Sequence, residues 1–445
     1  MHTSWRLQWA LAIAFCVALL MAPALWNHFP LLQWDTGGYL ARWYEGYLVP
    51  SRAVVYGLIL FAGVRFAFWP VIALQAALAV WIVFLTLRAH GLGKRPGLLA
   101  ATVAALAFAS TLPFLTAILL TDIFCGLGVL ALYLLLMRGG RLWPSERAGL
   151  IGLVAVAGAT HSATFALLAG LLLCAALLAL VDRSRMPARR LGHGAIALAL
   201  GAATVFAADY AVAGRLAWTP GGFALSFGRM LQDGIVNKYL DEHCPDATLR
   251  LCPVKDALPR DADTWFWGSP LFDRLGRFAG LDDEMEAIAL RSLAAYPALQ
   301  AESAAADTAR QLVAVHSGEG VLDSIWHTYR IVERYTPELV PAMRAARQQQ
   351  SGISFAAVNS VQYPAALAAM ALLPLLVLLA WRGAVPSEIG ELAAVAALTL
   401  LGNAFICGVL SNPHDRYGAR VAWLAVLVAL IALARLDPRR AGRKR

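Results

Sequence analysis

LLQWDTGGYLARWYEGYLVPSRAVVY, residues 31–56, decides how the chain is read. It follows the first long apolar run and carries Asp35, Arg42, Arg52, two tryptophans and four tyrosines. From Asp35 to Tyr47 the pattern is amphipathic and aromatic, as in a helix lying at a membrane surface. Pro50 breaks that pattern and Ser51 is placed to cap a second helix over residues 52–67. Arg65 interrupts the second helix, and it is too short to span a bilayer comfortably. Two juxtamembrane helices are therefore expected after the first span.

The remaining sequence agrees with a membrane setting. Of 445 residues, 60% are hydrophobic and only 15% charged, with a mean hydropathy of +0.62. A soluble domain carries about 25% charged residues. Apolar runs over residues 7–25, 69–87, 97–112, 121–137, 148–160, 163–181, 194–212, 363–379, 392–410 and 421–434 predict about ten transmembrane helices in an all-α polytopic protein. Arginines and lysines fill alternate loops, as at 88–95, 138–147 and 183–190, and the tail from 438. That asymmetry places both termini in the cytoplasm, in a bacterial inner (plasma) membrane. It also accounts for the net charge of +9 without a nucleic-acid partner.

The expected organisation has three parts. Residues 1–212 form a seven-span core, 213–362 a mainly helical periplasmic module, and 363–445 a three-span module with a basic cytoplasmic tail. Cys244 and Cys252 lie together in the periplasmic stretch, where an oxidising compartment would bridge them. Cys16, Cys125, Cys174 and Cys407 fall in apolar spans and read as small core residues.

With this topology, residues from distant parts of the chain collect on the outer face. Asp35 and Arg52 come from the first loop, Asp122 from the mouth of the fourth span and His161 from a helical turn. His414, Asp415, Arg416 and Arg420 come from the last loop. Ionisable groups at membrane depth are costly and usually face a cavity or a partner, so one polar pocket is the economical explanation. Asp35 could act as general base on an acceptor hydroxyl, hold a divalent cation, or simply cap the helix that begins Thr36-Gly37-Gly38. Asp122 has the same choice between chemistry and helix capping. Trp34 and Tyr39 could stack on a sugar ring, while Tyr56, a candidate for the same pocket, reads rather as packing. His161 is either a pocket residue or a satisfied polar plug. Arg416 and Arg420, four apart, could share one helix face and fork onto phosphate, with Arg52 and His414 beside them; snorkelling to the interface is the alternative.

At these residues the chain resembles the GT-C superfamily of polytopic membrane glycosyltransferases. WDTGGYLARW places Asp35 where those enzymes carry an essential acid in the first outer loop, and residues 52–56 resemble the start of their second juxtamembrane helix. A second acid in the next outer loop would correspond to Asp122, and NPHDRYGAR looks like a phosphate-contacting segment. The resemblance implies transfer of a sugar from a polyprenyl-phosphate donor to a glycan, lipid or protein acceptor, with inversion. Asp35 would be the general base, and Arg52, Arg416 or Arg420 would hold the departing phosphate. A nearby second acid is missing from the first loop, where Glu45 comes next, so a divalent cation is left open. A transporter or flippase for a lipid-linked or anionic substrate, and a non-catalytic membrane scaffold, are the alternative classes.

Overall fold

The computed structural model describes residues 2–49, 52–218 and 222–436. Pro50, Ser51 and the basic tail from 438 lie outside them. The membrane half of the chain runs through α1 (His2–Asn27), α2 (Thr36–Glu45), α3 (Val54–Gly63), α4 (Trp69–Ala89), α5 (Pro96–Ala109), α6 (Leu112–Ala117), α7 (Asp122–Met137), α8 (Pro144–Thr160), α9 (Ser162–Val181) and α10 (Ala188–Ala213). The stretch that follows folds as α11 (Gly222–Gln232), α12 (Ile235–His243), α13 (Pro270–Arg274), α14 (Arg277–Ala295), α15 (Pro297–Val313), α16 (Trp326–Tyr335), α17 (Val340–Ala345) and α18 (Arg347–Ser351). Three long helices close the chain: α19 (Ala356–Trp381), α20 (Ser387–Leu410) and α21 (Asp415–Leu436).

Among the described residues no strand forms, and the protein is all-α. Seven helices (α1, α4, α9, α10, α19, α20 and α21) are long and apolar enough to cross a membrane. The α5 and α7 helices are apolar but shorter. Exposed leucines and aromatics such as Leu11 and Phe15 on α1, Leu177 on α9 and Leu375 on α19 form outward apolar faces suited to lipid. The architecture is that of a multi-pass membrane protein.

Local sequence explains where the elements start and stop. The α2 helix ends at Gly46, whose φ of 70° only glycine adopts readily, with its N–H on the Arg42 carbonyl at 3.1 Å. The α4, α5 and α8 helices open with proline in their first turn, where a missing N–H costs nothing. The second juxtamembrane helix is shorter than expected, because α3 gives way to a 3₁₀ turn at Val64–Phe66. The last helix is longer than expected. It begins at Asp415, so the anticipated loop over residues 411–420 shrinks to 411–414.

The most deeply buried helix is α7. A Cβ on Gly126 would lie 2.6 Å from the Trp423 ring, and one on Gly128 would lie 2.7 Å from the Ala157 Cβ. The two glycines therefore let α21 and α8 pack directly onto α7. At one end of the bundle Arg88 pairs with Glu146 at 2.6 Å and Arg138 with Glu391 at 2.7 Å. The other end gathers the N-termini of α7 and α21 with the turn between α8 and α9.

The stretch expected as one soluble module contributes to two hydrophobic cores. Residues 224–289 have a core of their own around Phe227, Trp265, Phe272 and Met285. Trp265 and Phe266 are buried in it while Trp267 is exposed. Cys244 and Cys252 are disulfide-bonded beside that core, with Cα atoms 5.5 Å apart. By contrast Val321, Ile325, Ile331, Val332 and Met343 belong to the core of the membrane bundle.

Candidate functional site

Asp35 is held by side chains rather than acting as a cap. Its carboxylate makes no capping bond to α2. One oxygen accepts from Arg52 Nη2 and the other from Arg416 Nη1 at 2.6 Å. The backbone is fixed on both sides. Asp35 N–H donates to Gln33 Oε1 at 2.7 Å, and Gly37 N–H donates to Thr328 Oγ1 at 3.1 Å. Thr328, on α16, thus satisfies a helix donor that Asp35 leaves alone. Burial pushes the Asp35 carboxyl up, but Arg52 and Arg416 together outweigh it and hold the group below the usual carboxylate range.

Asp122 sits one layer deeper. Its oxygens lie 3.7 Å from Arg416 Nε and 3.8 Å from Arg420 Nη1, close enough for charge attraction but beyond hydrogen-bond reach. Arg420 is fully buried and does not present a free fork. Its Nε and Nη2 donate to Asn403 Oδ1 at 2.9 and 2.7 Å, and Nη2 reaches Cys407 Sγ at 3.1 Å. His161 Nδ1 is 3.5 Å from Arg420 Nη1. Arg420, expected beside Arg416 on phosphate, thus has its Nε and Nη2 committed to Asn403 and Cys407. Its charge faces Asp122 instead.

The rim is built by a loop that sequence reasoning passed over. Glu319 accepts the Arg416 backbone N–H at 2.7 Å and pairs with His414 Nδ1 at 2.6 Å. Asp263 lies 3.5 Å from the other His414 nitrogen. Burial opposes a charged imidazole there, but Asp263 and Glu319 outweigh it and push the His414 pKa up to about 9. Asp415 turns away to His316 at 2.9 Å, and that ring stacks on Tyr363 with centroids 4.0 Å apart. His414 and Asp415 thus brace the start of α21 and do not reach the Asp35 cluster directly. The signal for this loop was present in His316-Ser317-Gly318-Glu319-Gly320, whose glycines adopt φ of 98° and 75°. Asn403 was likewise visible as a polar residue in an apolar helix.

Tyr39 is buried under Arg52, with the guanidinium 5.9 Å from its ring centre. Tyr56 is buried too and donates to Gln75 Oε1 at 3.0 Å, so it packs behind the site. Trp34 is 38% exposed, its backbone N–H on the Gly320 carbonyl at 3.3 Å. A crevice beside Arg416 is lined by the polar Gln33, Asp122 and Glu319 together with the apolar Phe114 and Ile118. Three buried polar atoms at this crevice (Gln33 Nε2, Asp122 Oδ1 and Arg416 Nε) find no hydrogen-bond partner among the described residues. Such atoms are costly unless a ligand or water meets them.

A divalent cation does not fit these residues. Among the described residues no group of three His, Cys, Asp or Glu side chains could hold a metal ion. Asp35 and Asp122 already face three guanidinium groups, which would repel a dication. Comparison with known proteins gives no lead: no family model, no curated protein and no solved structure matches the chain.

Proposed function

We propose that the protein is a GT-C-type membrane glycosyltransferase acting at the extracytoplasmic face of a bacterial inner membrane, with about ten spans and both termini inside. In this reading residues 213–362 face the periplasm. The observation that supports it most is the ion pair at 2.6 Å between Asp35 and Arg416, residues 381 positions apart in the chain. It joins the first outer loop to the last helix, and Arg52, Asp122, Arg420 and His161 lie around it. A carboxylate next to two arginines suits chemistry in which an acceptor loses a proton while a leaving group gains negative charge.

The step is a single displacement. Asp35 takes the proton from an acceptor hydroxyl, and the acceptor oxygen attacks the anomeric carbon of the donor sugar. The bond between that carbon and the phosphate oxygen breaks, with inversion. The electron pair leaves on the polyprenyl phosphate, whose new charge Arg416 and Arg52 neutralise. The exposed Trp34, next to Asp35 in the chain, supplies a face for a sugar ring. Analysis of surface glycans and glycolipids tests the reading in strains carrying the wild-type gene, a deletion, or Asp35→Asn at equal expression. Loss of the same glycan residue in the deletion and in Asp35→Asn is expected; an unchanged glycan profile in the Asp35→Asn strain removes Asp35 from the chemistry.

A transporter reading rests on Asp209, buried within α10 with Oδ2 unbonded among the described residues. It predicts that Asp209→Asn, and not Asp35→Asn, stops substrate movement across the bilayer.

A further inference from the structure

Both oxygens of Asp35 accept hydrogen bonds from guanidinium groups, whose positive charges stabilise the ionised carboxylate and weaken it as a base. A general base in that state is a poor one, so something must remove the arginines before it works. Arg416 is the second residue of the 22-residue helix α21, whose N-terminal end favours negative charge. Its Nε is buried and unbonded among the described residues, so it keeps a donor in reserve beyond the one Asp35 uses. The inner cluster also sets three guanidinium groups against the two carboxylates of Asp35 and Asp122. The neighbouring group, with Glu319 and Asp263 around His414, carries the opposite balance.

We propose that Asp35 occupies a seat built for a phosphate group, and that an incoming phosphate takes Arg52 and Arg416 from it and frees the carboxylate to accept a proton. The donor's own charge thereby switches on the base, and an acceptor arriving alone meets an inactive carboxylate. Guanidinium forks bind carboxylate and phosphate alike, but a phosphate brings more oxygens and up to twice the charge, which supplies the preference for exchange. The seat stands on the geometry alone; the release of the base rests on the glycosyl-transfer reading.

The purified full-length chain tests this, with phosphate binding followed by thermal shift. The probes are inorganic phosphate in detergent and polyprenyl monophosphate in nanodiscs. Asp35→Asn no longer has a charge to displace, so it is expected to bind phosphate about tenfold tighter or more than wild type. Arg416→Gln is expected to lose binding. A gain seen with both probes marks a seat for phosphate of either source, and a gain confined to nanodiscs marks one for a lipid headgroup. Unchanged or weaker binding by Asp35→Asn to both probes overturns the proposal. Should that variant fail to fold, carbodiimide labelling of wild type decides. Polyprenyl phosphate in nanodiscs is expected to raise labelling of Asp35 relative to exposed Asp241, and no increase refutes the exchange. Tighter phosphate binding with unaltered surface glycans keeps the seat and discards glycosyl transfer. Lost glycans without tighter binding do the reverse.

Discussion

Replacing Arg420 by methionine tests whether the inner cluster is an electrostatic unit. The guanidinium is fully buried, donates twice to Asn403 and faces Asp122 Oδ1 across 3.8 Å. At that separation and an effective dielectric constant of 20, the attraction between the two charges is about 4 kcal/mol. Two charge-assisted hydrogen bonds to Asn403 add about 1.5–3 kcal/mol each before desolvation of the ion is set against them. Removing one partner of a buried pair costs about 3–5 kcal/mol, because the other charge stays behind uncompensated. In Arg420→Met the stranded group is Asp122, with only Arg416 Nε at 3.7 Å to face it. The diagnostic measurement is therefore a rescue. The double variant Arg420→Met/Asp122→Asn removes the orphaned charge and is expected to be more stable than Arg420→Met by about 1–3 kcal/mol. Denaturant unfolding of the solubilised protein, read by tryptophan fluorescence, gives all three midpoints under one set of conditions. If the double variant is no more stable than the single one, Asp122 and Arg420 are not coupled and the reasoning about the inner layer fails.

Two further outcomes follow from the same geometry. His414 has its pKa raised to about 9, so its pairing with Asp263 and Glu319 contributes fully below the ordinary imidazole value of about 6.5 and is lost as pH climbs through about 9. Stability profiles between those limits should fall for wild type and be flatter for His414→Gln. Gly37 is the point where α16 crosses α2, and an added Cβ would lie 2.7 Å from Thr328 Cα. Gly37→Ala is expected to cost about 1–3 kcal/mol by overpacking, whereas Gly38→Ala, whose methyl comes no closer than 3.5 Å to Arg52 Nε, is tolerated in the same unfolding assay.

What the amino-acid order settled by itself was the membrane character, the helical class and the residues rich in chemical potential. Those depend on contiguous stretches: about twenty apolar residues suffice for a span, and a lone acid or arginine at its mouth stands out against them. The amphipathic run after Asp35 and the apolar helices ending near Arg88 and Arg138 were readable for that reason. The pairing of Cys244 with Cys252 was readable from their lying together in the one long polar stretch. Tertiary structure alone decided the partners. Asp35 looked as much like a helix cap as a reactive acid until Thr328 supplied a hydroxyl to the helix and Arg52 and Arg416 took the carboxylate. Arg416 and Arg420 looked equivalent until Asn403 claimed one of them. Partner choice depends on which helix ends meet after packing, and that is fixed by close approaches such as those at Gly126 and Gly128, which seat α21 and α8 on the helix that begins at Asp122.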